Sequence, residues 1–209
     1  MQIASKVGSP SEQRTPCIIA VVHHKKVLSE AAQILDKNTN GLISSLIKRG
    51  DLIDEIGETL LINNCPGVAA SRLLLTNGGS SKGATESEFR KIVAGAAKRL
   101  KSLGIKTAID TMHRTHVTDR NGLSWKINTI AQEVSAAAYQ FNEFKTSKSK
   151  NQGFNKLTFL VNDTSEGKKM NAACKETSGL IQGIDLAKNL ANRPANICTP
   201  THLAEVSIS

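Results

Sequence analysis

The feature that most restricts the fold is a short, unbroken apolar run, Pro16-Cys-Ile-Ile-Ala-Val-Val22. β-branched residues make up most of it, and no polar side chain alternates with them. A strand with one face in water alternates apolar and polar residues, whereas a strand covered on both faces is apolar throughout. The run therefore predicts a strand that is buried between two layers of other elements.

The segments around that run alternate between strand-like and helix-like patterns. Further strands are predicted at 59–62, 72–76, 105–109 and 157–161. Strands separated by helices of ten or more residues are typical of a three-layer α/β sandwich. The loop between Asn63 and Ser71 is too short for a helical crossover, so the two strands beside it should pair antiparallel. We expect a mixed sheet with this pair near its centre.

Helical periodicity supplies the outer layers. The clearest helix begins with a capping box, Thr85-Glu-Ser-Glu88, in which the two side chains satisfy free backbone N–H groups at the helix start. Apolar residues then recur at helical spacing until Gly104. Other helices are predicted near 28–35, over 42–47 with Gly50 closing the helix, and over 124–141.

The last part of the chain predicts a long helix, a fixed loop and a second helix. The first covers about 166–191, because Pro194 excludes helical geometry from the residue before it. About 25 residues at about 1.5 Å each extend nearly 40 Å. Thr199-Pro200 then supplies an N-cap hydroxyl and a proline at the first helical position, which together start another helix.

Three segments resemble the leucyl (cytosol) aminopeptidase family of two-metal peptidases. They are Gly183–Glu205, Glu58–Asn77 and Tyr139–Lys148, and their order and spacing fit along nearly the whole chain. The resemblance implies an amino-terminal domain at 1–165 with a fold similar to macro domains. It also implies an interdomain helix and loop at 166–198 and the truncated start of a catalytic domain at 199–209.

The resemblance further implies the role of the parent protein. Members of the family release amino-terminal residues from peptides with two divalent metal ions, manganese or zinc, and assemble as homohexamers. Their metal motif, Asn-Thr-Asp-Ala-Glu-Gly-Arg-Leu, does not occur in this sequence. Two-metal hydrolysis needs clustered oxygen ligands, whereas the carboxylates here are scattered. We therefore assign no catalytic residue, metal ligand or cofactor to this chain, and expect its partner to be the missing catalytic domain.

Two smaller motifs have both a functional and a structural interpretation. Thr76–Gly83 is a glycine-rich loop between a strand and a helix, where backbone amides can bind phosphate or ADP-ribose. Its glycine spacing fits neither the Walker nor the dinucleotide pattern, and Glu86 and Glu88 already occupy the helix N-terminus. His113-x-x-His116 resembles a pair of metal ligands but has no third ligand at a known spacing, which favours a structural role.

The charge of the chain is concentrated in its middle. Residues 82–175 carry 17 Lys and Arg against 8 Asp and Glu, so this segment accounts for the whole net charge of +9. A basic surface of this kind can bind nucleic acid, as in some bacterial relatives of the family. The candidate nucleic-acid-binding residues are Lys98, Arg99, Lys101, Lys145, Lys148 and Lys150. The alternative is an ordinary solvated surface, which the scarcity of aromatic stacking partners favours.

Apolar runs, the first residues of the chain and the cysteines indicate the cellular compartment of the protein. No run of eighteen apolar residues exists, so no membrane partner is expected, and residues 1–11 lack the apolar core of a secretory signal. The four cysteines are far apart in sequence and form no Cys-x-x-Cys pair, so we interpret them as small buried hydrophobes. We expect a cytoplasmic protein.

Overall fold

The computed structural model describes residues 1–118, 122–146 and 153–208. Within these ranges the chain forms the predicted three-layer α/β sandwich. The strands are β1 (Gln2–Val7), β2 (Ile18–His23), β3 (Val27–Leu28), β4 (Thr59–Asn63), β5 (Arg72–Asn77), β6 (Thr107–Asp110) and β7 (Lys156–Val161). The helices are α1 (Glu30–Asn38), α2 (Leu42–Arg49), α3 (Glu86–Ser102), α4 (Leu123–Ala138), α5 (Thr164–Asn192) and α6 (Pro200–Ile208).

The strands form one mixed sheet in the order β1-β7-β6-β2-β5-β4, and β3 pairs with the end of β2. The first five strands in this order, β1, β7, β6, β2 and β5, are parallel to one another. β4 is antiparallel to β5, as the short loop between them predicts, and β3 is antiparallel to β2. We expected both β4 and β5 near the centre of the sheet. This prediction is wrong for β4, which is an edge strand. The crossover from β5 to β6 passes over β2, so the later strands extend the sheet on the opposite side.

β2 is the buried strand that its sequence predicts. Ile18 to Val22 are at most 1% exposed. Ile19 and Val21 face the apolar layer of α3, α4 and α5, whereas Ile18, Ala20 and Val22 face the layer of α1 and α2. Burial on both faces explains why this segment carries no polar residue.

The first strand was not predicted from the sequence. β1 pairs with β7 in parallel, with Ile3 opposite Leu157. Only Ile3 of this strand is buried, because β1 is the other edge of the sheet. Its polar composition reflects that edge position.

α5 is one continuous helix of 29 residues whose two halves have different environments. Up to Ile181, the helix buries Met170, Ala173, Cys174 and Ile181 in the apolar cluster formed with the sheet, α3 and α4. No residue of α5 beyond Ile181 is buried. The first half is therefore part of the sandwich, and the second half extends away from its core. The predicted domain divisions at residues 166 and 199 stay predictions.

The cysteines are free thiols, and Cys17, Cys65 and Cys174 are buried, as we interpreted them. Burial raises the pKa of Cys17 to about 12 and that of Cys174 to about 11. Cys198 is only partly buried. In the part of the chain that the structure describes, no helix is long and apolar enough to cross a bilayer.

Candidate functional site

The carboxyl ends of the parallel strands form the edge of the sheet at which α/β proteins usually bind ligands. Three loops meet there: the β2–β3 turn, the glycine-rich loop after β5 and the segment after β6. The second and third of these loops contain candidate residues from the sequence. Their backbone and side-chain contacts decide which of these candidates are available to a ligand.

The glycine-rich loop uses most of its amides internally. Gly78 N–H donates to Val22 O at 2.7 Å, and Gly79 N–H donates to Asn77 Oδ1 at 2.9 Å. Gly83 N–H donates to Ser80 O at 3.3 Å. The N-terminus of α3 behind this loop is satisfied by the predicted capping box. The loop therefore lacks the row of outward amides that a phosphate cradle needs.

The two histidines after β6 do not act as a pair. His113 is 3% exposed, and its Nδ1 lies 2.9 Å from Asp110 Oδ2 at the end of β6. The ring of His113 also packs edge-on against Phe159. His116 is exposed and lies against Gly83 instead. His113 thus has the structural role that the sequence favoured.

No metal centre can be built from the described residues. Over 1–118, 122–146 and 153–208 there is no group of three or more His, Cys, Asp or Glu side chains placed to hold an ion. We assign no metal ligand among them.

The predicted basic residues lie in three places. Lys98 and Arg99 line a groove of about 340 Å³ between α3 and the start of β4, together with Gly57, Glu58 and Ser102. Lys101 lines a separate small cavity near Phe154, and Lys145 is exposed in the loop after α4. Lys148 and Lys150 lie outside the described residues. The structure therefore brings together Lys98 and Arg99, but it places Lys101 and Lys145 elsewhere.

Lys98, Arg99 and Lys101 are solvent-exposed cations without a carboxylate partner within the described ranges. By contrast, Arg90 on the same helix is paired with Glu86 at 3.2 Å. The carboxyl-terminal half of α3 consequently presents unneutralised positive charge. Such charge attracts anions more strongly at low than at high salt.

A polar seam that the sequence did not reveal holds the second half of α5. Tyr139 OH donates to Asn189 Oδ1 at 2.9 Å and accepts from Asn192 Nδ2 at 3.2 Å, and Lys188 lies over the Tyr139 ring. Arg193 Nε donates to Glu143 Oε2 at 3.0 Å. We call these contacts the α5 seam. Tyr139 and Glu143 belong to one of the segments that resemble the aminopeptidase family, but the resemblance gave them no role.

The last part of the described chain, from Leu186 onward, leaves apolar side chains in water. Leu186, Ile197, Leu203 and Ile208 are 47%, 37%, 43% and 88% exposed. They lie at the end of α5, in the following loop and on α6, and no residue of α6 is buried. Large exposed apolar side chains concentrated in one part of the chain are a common sign of a contact surface.

Comparison with known proteins decides the family. The model of the cytosol aminopeptidase family, N-terminal domain, matches residues 18–148. The chain belongs to the cytosol aminopeptidase family. A probable cytosol aminopeptidase of Idiomarina loihiensis is 34% identical over 206 residues, which are 98% of this chain and 41% of that protein. The chain thus spans about two fifths of the length of the curated relative.

Solved structures give the same fold. A mutant of tomato leucine aminopeptidase superposes with a TM-score of 0.72 at 22% identity, over 100% of this chain and 41% of that one. The bottromycin maturation enzyme BotP, in complex with Mn, superposes with a TM-score of 0.59 at 14% identity, over 91% of this chain and 35% of that one. At these identities the likeness shows the fold of a cytosol aminopeptidase N-terminal domain, not its activity.

Proposed function

We propose that these 209 residues form the amino-terminal domain of a longer, cytosolic, metal-dependent leucyl aminopeptidase that releases amino-terminal residues from peptides. One observation carries the proposal: the alignment covers 98% of this chain but 41% of its aminopeptidase relative. In this proposal the two divalent ions, manganese or zinc, are bound by a catalytic domain outside these residues. The homohexamer of the parent is likewise held mainly by that domain.

Two structural features support this role. The exposed apolar side chains on α5 and α6 offer a contact surface of the kind that a following domain would cover. The α5 seam fixes the direction in which α5 leaves the sandwich, through six side chains at the end of α5 and in the segment that follows α4. The contribution of this chain to catalysis is then to position the catalytic domain, not to touch the peptide.

Hydrolysis of leucine amide tests the proposal. The purified 209-residue chain with added Mn²⁺ or Zn²⁺ should give no turnover above buffer, whereas a polypeptide extended to the length of the relatives should be active with the same metals. Turnover by the 209 residues alone would overturn the assignment. So would an extended polypeptide that stays inactive with both metals.

A second candidate function, nucleic-acid binding, is favoured by one observation: Lys98 and Arg99 lie exposed beside one groove and have no carboxylate partner among the described residues, although Glu58 lines the same groove. We propose nonspecific contact with phosphate backbones. Since few aromatic side chains are present, base stacking contributes little. Affinity should therefore fall steeply with salt and depend little on sequence.

A gel-shift series across salt tests this second candidate. Replacing Lys98→Glu and Arg99→Glu should weaken binding equally for all duplex sequences and reduce the slope of log affinity against log salt by about 2. Lys168→Glu with Lys169→Glu changes the net charge equally, but on α5, and serves as the matched control. Absence of binding at low salt, or an equal loss in the control, rules out the groove.

A further inference from the structure

The β2–β3 turn contains two consecutive residues, Lys25 and Lys26, in the left-handed backbone region, with φ of 58° and 66°. Two-residue left-handed turns are normally made of Gly, Asn or Asp, because a larger side chain is strained there. Such a conformation is strained and persists only where the surrounding structure imposes it. Here lysine occupies both positions, so this turn carries two positive charges where uncharged glycine or asparagine would be less strained.

The turn is held from both sides. His24 N–H donates to Gly79 O at 2.7 Å, and Ser29 N–H donates to Val21 O at 3.2 Å. The short β3 strand also pairs with the end of β2. These contacts fix the backbone of the lysine pair, so its position does not depend on the side chains.

The lysine pair lines a cavity of about 310 Å³ at the carboxyl end of β2 and β5. The rest of the wall comes from the end of α2, from residues 52–54 and from Asn77. We call this cavity the lysine pocket. Its volume lies at the lower end of the range for small-molecule sites, and its location is the edge at which α/β proteins bind ligands.

The lysine pocket combines an apolar floor with a cationic rim. Val22, Ile47 and Leu52 are buried and form the apolar part. Lys25, Lys26 and Lys48 are exposed around the opening, and none of them has a carboxylate partner within the described ranges. Lys26 Nζ donates to Lys48 O at 3.4 Å, at the end of α2. Lys25 and Lys48 therefore keep their donors for a ligand.

The single carboxylate in the wall, Asp54, offsets one of the three lysine charges and is held by two hydrogen-bond partners. Asp54 Oδ1 lies 2.5 Å from His24 Nδ1 and accepts from Asn77 Nδ2 at 3.0 Å. The hydrogen bond from His24 is the main reason why the pKa of Asp54 lies below its usual value. The wall also contains His23, whose pKa is lowered mainly by burial, while the backbone of Gly78 and Gly79 opposes the shift. The lysines are therefore the cations that the pocket offers to a ligand.

We infer that the lysine pocket binds a small organic anion, with its carboxylate or phosphate group between Lys25 and Lys48 and its apolar body on Val22, Ile47 and Leu52. The site is separate from the groove of Lys98 and Arg99 and does not depend on the proposed peptidase role. A buried apolar body supplies affinity, and the lysines select for negative charge.

Three matched probes test the inference by NMR: phenyl phosphate, phenylacetate and the uncharged 2-phenylethanol. Either or both anions should shift the amides of residues 22–26, 47–54 and 77 saturably, with millimolar or tighter affinity, and the alcohol should bind at least fivefold more weakly. The two anions distinguish a phosphate from a carboxylate ligand. Absence of saturable shifts with both anions, or equal binding of the alcohol, overturns the inference.

Substitution of the turn supplies the second measurement. Asparagine accepts the left-handed region, so Lys25→Asn with Lys26→Asn should keep the fold and raise its melting temperature by about 2–4 °C. The same change should weaken anion binding at least fivefold. Lys168→Asn with Lys169→Asn removes the same charge from α5 and should leave the affinity unchanged. Unchanged affinity in the turn variant, or an equal loss in the α5 variant, contradicts the site.

Discussion

A single glycine on α3 determines how closely the helix packs on the turn before β4. A Cβ placed on Gly95 would lie 1.9 Å from Gly57 O and 2.8 Å from Gly57 C. Both are backbone atoms, so the neighbour cannot rotate away. Gly95→Ala should therefore destabilise the protein by about 2 kcal/mol, because overpacking outweighs the gain in helix propensity. Urea unfolding measures this change.

Gly179 on α5 is the matched control. A Cβ there would meet no atom within 4 Å. Gly179→Ala should stabilise the protein by about 0.5–1 kcal/mol, because alanine is the better helix former. If both substitutions changed the free energy of unfolding in the same direction, the close contact at Gly95 would not be the cause.

The sequence predicts which residues are candidates better than it predicts which of them lie together in the folded structure. The basic segment is visible from composition, and Lys98 and Arg99 do line one groove. Lys101 is close to them in sequence but lines another cavity, because the chain brings the distant residues Gln140, Gly153 and Phe154 to that side of α3. The lysine pocket was missed because a turn without glycine or asparagine carries no local signal.

The capping box of α3 gives a prediction at the scale of an element. Thr85 Oγ1 accepts from Glu88 N–H at 3.3 Å, and Glu88 Oε2 accepts from Thr85 N–H at 2.7 Å. Thr85→Ala should cost about 1 kcal/mol in unfolding experiments, whereas Thr85→Ser should cost almost nothing because it keeps the hydroxyl. Equal losses in the two variants would mean that the methyl group, not the cap, stabilises the helix.

The same cap has a pH dependence. Hydrogen bonds from Thr85, the backbone one first, hold the pKa of Glu88 below its ordinary 4.5. A depressed carboxyl pKa stabilises the fold above the unfolded value, and this contribution is lost as pH falls through the folded value. The stability difference between the unsubstituted protein and Glu88→Gln should therefore be largest near neutrality and disappear in acid. A difference that persists at pH 2 would exclude ionisation as its source.

Tyr139 is the residue to change in the α5 seam. Tyr139→Phe removes the hydroxyl that bonds Asn189 and Asn192, and should cost about 0.5–1.5 kcal/mol. Hydrogen exchange should become faster over residues 182–192 and stay unchanged over 164–177, which pack on the sheet. Uniform acceleration along α5 would show that the two halves unfold together, without a separate role for the seam.

Elements with a strong local signal were the ones predicted. α3 has a capping box and an apolar stripe, and α2 ends where Gly50 adopts a left-handed backbone. β1 was missed and β4 was misplaced for one physical reason: edge strands bury little, and strand order depends on crossovers between distant segments. The Thr199 cap of α6 was confirmed, since His202 N–H donates to Thr199 Oγ1 at 3.2 Å.

At the scale of the molecule, the exposed apolar side chains of α5 and α6 predict a difference between short and long polypeptides. In a polypeptide of the relatives' length, the proposed catalytic domain covers Leu203 and Ile208, so the α6 amides should exchange more slowly than in the 209-residue chain. The amides of β2 serve as the reference, because that strand is buried in both cases. Equal exchange of α6 in the two polypeptides would remove this surface from the proposed domain contact.

The pairing of the first strand with the last one delays completion of the sheet while the protein is being synthesised. Among the described strands β1 pairs with β7 alone, and almost the whole domain separates Val7 from Lys156. At typical elongation rates the nascent β1 segment must wait on the order of 10 s for its partner. During that interval it carries few large apolar side chains. The polar composition of β1 is the reason why the strand was not predicted from the sequence. It also gives the unpaired nascent segment little tendency to aggregate during translation.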